Sequence, residues 1–146
     1  MTEIKRSINI MAPVEKVFEY ASDYKKWSEF FEGVSDFRPM TAITRGNGSK
    51  YIYKAKALGM NVTVGTEVLQ FKENEGWIGK SFKGLEHQTQ WIFEKSNGNM
   101  DFTFIQRYSL PFYLGGKLFD KMFAEPAWIK IIEKSLNNLK RIMETE

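Results

Sequence analysis

The feature that most constrains the fold is an alternation of side chains in two neighbouring segments, near residues 87–95 and 99–109. Most of the residues at every second position are aromatic, and most of the residues between them are polar. The alternating set comprises Thr89, Trp91, Phe93, Phe102, Phe104, Gln106 and Tyr108. A period of two predicts β-strands of a sheet that is covered on one face only. Another part of the chain must therefore cover the aromatic face.

An amphipathic pattern near the C-terminus predicts that cover. Its apolar residues step by 4, 4, 3 and 4 positions, which places them in one stripe on a helix. They are Trp128, Ile132, Leu136, Leu139 and Met143. Pro126 interrupts the pattern upstream, and we expect it either to kink one long helix or to separate two. On the second interpretation residues 127–143 cover the sheet, while residues 114–123 form a more mobile flap.

The remaining segments predict an α+β fold with a seven-stranded antiparallel sheet. A strand ending at Ile10 is followed by two short helices, the first starting at Pro13 and the second capped by Ser22 or Asp23 and stopped by Gly33. Glycine- and asparagine-rich turns then separate six strands. These strands are predicted near 34–44, 50–58, 61–72, 77–83, 87–95 and 99–109. Pro39 predicts that the first of the six is an edge strand or is bulged.

Composition narrows the class of protein. The 146 residues fit a single domain, 1–146, and the absence of cysteine excludes disulfides and thiolate sites. The net charge of +3 is too small to indicate nucleic-acid binding. No transmembrane segment or signal peptide is visible, so we expect a cytoplasmic protein. With one histidine and no cysteine, the chain predicts no metal site, and no motif indicates a cofactor.

Three segments carry a resemblance to a known superfamily: residues 8–18 (INIMAPVEKVF), 22–31 (SDYKKWSEFF) and 135–141 (SLNNLKR). In their order along the chain they resemble the START-like or SRPBCC superfamily, also called the helix-grip or birch-pollen-allergen-like fold. The nearest resemblance is to its polyketide cyclase/dehydrase-like and coenzyme-Q-binding members. The resemblance implies a curved sheet wrapped around the C-terminal helix, and a hydrophobic molecule such as a lipid, quinone or polyketide bound between them.

Polar residues on the inner face are candidates for orienting such a ligand. His87, the single histidine, is either a general base or ligand partner, or a rim residue bonded to backbone or water. Gln106 and Tyr108 either orient a ligand or bond to each other or to a buried water. Arg6 shares the inner face of the first strand, and it either pairs with a carboxylate such as Glu67 or an anionic ligand, or reaches solvent.

Each apolar candidate either lines the wall of a cavity or belongs to the ordinary packed core. On the inner face of the sheet they are Trp91, Phe93, Phe102 and Phe104, and Tyr53 is a further candidate in a strand that has no clear polar side. On the short helices and the C-terminal segment they are Trp27, Phe31, Met122, Trp128 and Ile132.

Three functions are compatible with these features. The first is binding or transport of a hydrophobic small molecule. The second is a cyclase, aromatase or dehydratase in which His87, Gln106 and Tyr108 orient the substrate and move protons. The third is a protein-interaction module, as in ribosome- or chaperone-associated members of the superfamily. An open cavity of about 300 Å³ under the C-terminal helix would favour a ligand, whereas a filled interior would favour the third function. The identity of the ligand and the oligomeric state stay open.

Overall fold

A computed structural model describes residues 1–57, 60–110 and 116–145. The β-strands are β1 Thr2–Ile10, β2 Val34–Pro39, β3 Lys50–Ala57, β4 Met60–Lys72, β5 Gly76–Lys83, β6 His87–Ser96 and β7 Asn99–Tyr108. The helices are α1 Val14–Ala21, α2 Tyr24–Phe30, α3 Gly116–Phe119 and α4 Glu125–Glu144, with a π-helical turn at Asp120–Ala124 between the last two. This order confirms the predicted helix-grip architecture.

The seven strands form one antiparallel sheet in the order β1-β7-β6-β5-β4-β3-β2. β2 lies at an edge and its pairing with β3 shifts between Ser35 and Arg38, so both alternatives predicted from Pro39 are present. The strand ends at Pro39 rather than at residue 44, with one further backbone hydrogen bond from Met40 N–H to the Lys50 carbonyl.

Local sequence accounts for the two short helices. α1 begins directly after Pro13, and the Asp23 carboxylate caps α2 by accepting a hydrogen bond from the backbone N–H of Lys25 at 3.0 Å. α2 ends at Phe30, before the predicted stop at Gly33, which itself adopts a positive φ of 78°. The two helices bring Phe18 and Trp27 onto the inner side of the sheet.

The C-terminal helix is continuous over 29 residues, so the predicted division at Pro126 is wrong. The π-helical turn Asp120–Ala124 directly precedes α4, and the proline stands in the first turn of α4. Because proline cannot donate a backbone hydrogen bond, it disturbs the regular helical pattern, and the irregular turn lies beside it here. Of the predicted flap, Leu114 lies outside the described residues, and residues 116–123 form the first turns of this helix.

The core lies between the sheet and the helices. The predicted stripe of α4 faces the core: Ile132 and Leu139 are fully enclosed, Leu136 and Met143 are buried, and Trp128 is half-buried. At one end of the core the Phe18 ring of α1 meets Phe93 edge-on, with ring centroids 4.9 Å apart, and Phe93 contacts Phe102 at the same distance. Within the described ranges, no helix has both the length and the apolar character needed to cross a bilayer.

Candidate functional site

A cavity of about 300 Å³ opens between the inner face of the sheet and the helices. Its apolar walls include Trp27, Phe31, Trp77, Trp91, Phe104 and Trp128. Trp91 stacks on Trp77 with ring centroids 4.7 Å apart, and Phe104 contacts Phe31 at 5.3 Å. The walls are therefore built from aromatic rings in mutual contact.

The pairing of β6 with β7 divides the inner face into a polar end and an aromatic end. His87 lies opposite Tyr108 and Thr89 lies opposite Gln106. The next two inward pairs along the same strands are Trp91 with Phe104 and Phe93 with Phe102. We call the first four residues the polar end, all of which line the cavity. A ligand in this cavity therefore meets hydrogen-bonding groups at one end and aromatic rings at the other.

His87 belongs to a chain of hydrogen bonds on the cavity wall. Its Nδ1 lies 2.9 Å from the Leu85 carbonyl oxygen, and its Nε2 lies 2.9 Å from Thr66 Oγ1. The Tyr53 hydroxyl lies 3.0 Å from the same Thr66 Oγ1. Burial lowers the pKa of His87, although its bond to the Leu85 carbonyl acts in the opposite direction.

The neutral imidazole fixes the direction of these bonds. Because a carbonyl only accepts, Nδ1 carries the proton and Nε2 accepts from the Thr66 hydroxyl. Thr66 then accepts from the Tyr53 hydroxyl, and the Tyr53 oxygen keeps free lone pairs for a donor on a ligand. Burial also raises the pKa of Tyr53, so the phenol stays protonated.

Tyr108 is held by a carboxylate from the C-terminal helix. Its hydroxyl donates to Asp120 Oδ1 at 2.5 Å, and the Thr2 hydroxyl donates to Asp120 Oδ2. Asp120 is buried and belongs to the π-helical turn, which directs it toward β1 and β7. Burial, together with the bond to this carboxylate, raises the pKa of Tyr108 well above its usual range.

Like Thr89 opposite it, Gln106 makes no side-chain hydrogen bond to another described residue. The residue is only 7% exposed, and it lines the cavity. No buried side-chain polar atom of the described residues lacks a partner, so the Gln106 amide atoms are accessible from the cavity, where they are suited to a ligand carbonyl or hydroxyl. Tyr108, one of the expected partners, donates its hydroxyl proton to Asp120 instead.

The cavity presents no full charge among the described residues that line it. They include no lysine, arginine, aspartate or glutamate, and His87, whose pKa is lowered by burial, is neutral at pH 7. Arg6, one of the candidates for an anionic ligand, pairs instead with Glu133 of α4 at 3.1 Å. The expected partner Glu67 is on β4, whereas β1 lies at the far edge beside β7, so that pairing was wrong.

The structure brings most of the predicted site residues together around the cavity. Those that line it are Trp27, Phe31, Tyr53, His87, Trp91, Phe104, Gln106, Tyr108 and Trp128. Phe93, Phe102 and Ile132 are buried in the core instead, since Phe18 of α1 fills the space beside the two phenylalanines. Met122 points to solvent and is 59% exposed.

Several residues around the cavity were not predicted, among them Thr66 and Trp77, which line it, and Asp120, which holds Tyr108. The sequence does mark Thr66, because it alternates with Val62, Val64 and Val68 and is the one polar residue of that inward set. Trp77 had only a short alternation in a glycine-rich strand. No sequence pattern marks Asp120, because its inward direction depends on the π-helical turn.

An antiparallel sheet wrapped around a long helix, with an apolar cavity between them, defines the helix-grip class of proteins. The sequence profile of the family described as polyketide cyclase/dehydrase and lipid transport matches residues 1–144. The chain belongs to this family.

Solved structures support the fold. The protein TTHA0849 from Thermus thermophilus is 19% identical, with 96% of this chain and 95% of that chain covered and a TM-score of 0.82. The di-domain ARO/CYC protein StfQ of the steffimycin biosynthetic pathway is 12% identical, with 98% of this chain and 51% of that chain covered and a TM-score of 0.79. Ara h 8.0201 is 10% identical, with 99% of each chain covered and a TM-score of 0.68. A comparison with curated proteins found no match.

Proposed function

We propose that this protein binds an uncharged, largely apolar small molecule that carries a carbonyl or hydroxyl group. The observation that supports this most is the cavity of about 300 Å³, with aromatic walls and a polar end that contains the free amide of Gln106. Its volume lies at the lower limit of typical ligand sites. The open interior favours a ligand over the protein-interaction module, for which a filled interior was expected.

The polar end sets the orientation of the ligand. The Gln106 amide both donates and accepts, and the Tyr53 hydroxyl oxygen accepts. The apolar body then lies against Trp91 and Phe104 at the aromatic end. Quinones and polyketide-like molecules have this distribution of polar and apolar groups.

Charge separates these ligands from fatty acids and phospholipid head groups. Burying an ionised group without a partner is costly, and no oppositely charged side chain lines the described part of the cavity. The protein should therefore prefer a neutral quinone to a carboxylate of similar size.

A displacement assay with a matched pair of variants tests this proposal. The neutral dye N-phenyl-1-naphthylamine reports the cavity, and menadione, a hydroxyanthraquinone and oleate compete for it. Gln106→Leu removes one ligand hydrogen bond, so competition by the quinone weakens about tenfold, given about 1–1.5 kcal/mol per bond. Gln88→Leu is the control, because Gln88 faces the other side of β6. Equal competition in both variants, or a preference for oleate, contradicts the proposed ligand class.

Filling the cavity gives a second test. Val64 is buried and lines the cavity, so Val64→Phe places a ring in the space of the ligand. We expect this variant to lose dye binding while keeping its far-ultraviolet circular dichroism. Native mass spectrometry of the unmodified protein should show a co-purified neutral molecule that is absent from Val64→Phe. Undiminished dye binding in the folded variant would place the ligand elsewhere.

A cyclase- or dehydratase-type activity is the second candidate. It is favoured by the hydrogen-bond chain Tyr53–Thr66–His87, which connects a titratable imidazole to the cavity wall. StfQ, which has a similar fold, is described as a di-domain ARO/CYC protein of a biosynthetic pathway. Turnover of a poly-β-carbonyl thioester that falls in His87→Ala and Tyr108→Phe would support it. Unchanged turnover in both variants would remove these residues as catalysts.

A further inference from the structure

We infer that the first turns of the C-terminal helix dock on the surface of an anionic lipid bilayer. The docking surface consists of three exposed apolar residues, Leu118, Met122 and Phe123, and two lysines, Lys117 and Lys121. It is separate from the cavity and does not require the cavity to hold a ligand.

The apolar part is unusually exposed for side chains of this size. Leu118, Met122 and Phe123 are 72%, 59% and 53% exposed, and they lie within six consecutive residues. Leu118 and Met122 are four positions apart on the helix, and the Phe123 ring contacts Phe119 with centroids 5.1 Å apart. A cluster of exposed large apolar residues of this kind indicates a surface that another phase or molecule covers.

The charges of the same segment determine what covers it. Lys117 and Lys121 are both exposed. Asp120, the one acidic residue between them, is buried and accepts hydrogen bonds from Tyr108 and Thr2. The surface therefore presents cations beside apolar side chains, the combination that inserts into the interface of an anionic bilayer.

A second copy of the chain fits this surface less well. In a symmetric dimer the same patch meets itself, so Lys117 and Lys121 would approach the lysines of the other copy. Like charges in a buried interface are unfavourable. An anionic lipid surface satisfies both the apolar and the cationic groups.

The docking surface and the cavity share a helix. Phe119 and Ala124 line the cavity on one side, and the exposed residues lie on the other. Docking would bring the cavity within about 10 Å of the lipid, the thickness of one helix. An apolar ligand could then pass between bilayer and protein without crossing bulk water.

The absence of cysteine allows a site-specific test. In Met122→Cys, a bimane label reports the polarity at the docking surface. Vesicles of phosphatidylcholine with about a third phosphatidylglycerol, the anionic lipid that supplies the surface charge, are compared with pure phosphatidylcholine. We expect a blue shift and higher intensity with the anionic vesicles only. Met40→Cys, labelled in the same way, is the control, since Met40 is 56% exposed at the opposite end of the strands.

Variants that remove positive charge measure how much the two lysines contribute to vesicle binding. Each lysine near an anionic surface contributes about fivefold to the partition coefficient, so Lys117→Gln with Lys121→Gln should weaken vesicle binding about 25-fold. The matched control, Lys80→Gln with Lys95→Gln, removes two exposed lysines elsewhere and should leave binding within a few-fold. Binding should also fall as salt rises.

Three outcomes would overturn the inference. These are no blue shift with anionic vesicles, equal weakening by the two lysine pairs, or a blue shift that appears without lipid and grows with protein concentration. The last outcome would identify a second copy as the occupant. Dye binding to the cavity, measured in the same variants without lipid, keeps this result separate from the proposed ligand.

Discussion

His87 should make the stability of this protein depend on pH in a defined window. Burial disfavours the imidazolium, so the pKa of His87 is lower in the folded protein than in the unfolded chain, where it is about 6.5. As pH falls through about 6.5, the unfolded chain takes up a proton that the folded protein does not. The free energy of unfolding therefore decreases at low pH and is greatest above about pH 7.

The size of this decrease follows from the uptake of one proton by the unfolded chain. If His87 stays neutral in the folded protein, the free energy of unfolding decreases by at most about 1.4 kcal/mol between pH 8 and pH 5.5. For a chain of this length that corresponds to a decrease of about 3–6 °C in Tm. Protonation would also require Nε2 to donate to Thr66, which reverses the bond that Thr66 now gives.

Urea unfolding at several pH values measures this dependence, and the chain is favourable for it because His87 is its one histidine. His87→Gln keeps an amide at the position but does not titrate. We expect the decrease between pH 8 and pH 5.5 to be present in the unmodified protein and largely absent from the variant. An identical decrease in both, or a protein that is more stable at pH 5.5, would refute the reasoning.

Two further predictions concern stability. Gly76 has a φ of 139°, and a Cβ there would lie 1.8 Å from the Trp91 carbonyl oxygen. Gly76→Ala should therefore lower the free energy of unfolding, measured with urea, by about 3 kcal/mol or more. Gly98→Ala, also at positive φ but in open space, should cost only about 1–2 kcal/mol, and equal losses would contradict the close approach at Gly76. Asp120→Asn should cost about 1–3 kcal/mol, because an amide oxygen replaces a carboxylate that accepts from both Tyr108 and Thr2. Combined with Tyr108→Phe the loss should be less than the sum of the single losses, and strict additivity would show that the two side chains do not interact.

The cavity depends on contacts between elements far apart in the chain. Alternation places Trp91, Phe93, Phe102 and Phe104 on one face, and all four are on that face in the structure. Two of them line the cavity and two do not, because Phe18 of α1 packs against Phe93 and closes that end. Periodicity identifies the face of a strand, but the helix that covers each part of the face is decided by tertiary packing.

The position of Asp120 is a second example of a feature set by tertiary structure. In sequence it lies between two lysines of an amphipathic segment, where a solvent-facing carboxylate is the ordinary expectation. The π-helical turn rotates it inward, toward the hydroxyl groups of Tyr108 and Thr2. No local pattern marks this turn, since Pro126 predicted a kink or a break but not a wider helical turn.

The sequence by itself determined the sheet, the covering helix and the family, because each depends on short-range patterns: alternation of period two, an apolar stripe at helical spacing, and motifs in the first helices. Tertiary structure decided that the interior stays open, that Gln106 lacks a protein partner among the described residues, and that Thr66 joins Tyr53 to His87. These properties depend on distances between side chains that are separated by up to tens of residues, and such distances are fixed only when the sheet closes on the helix.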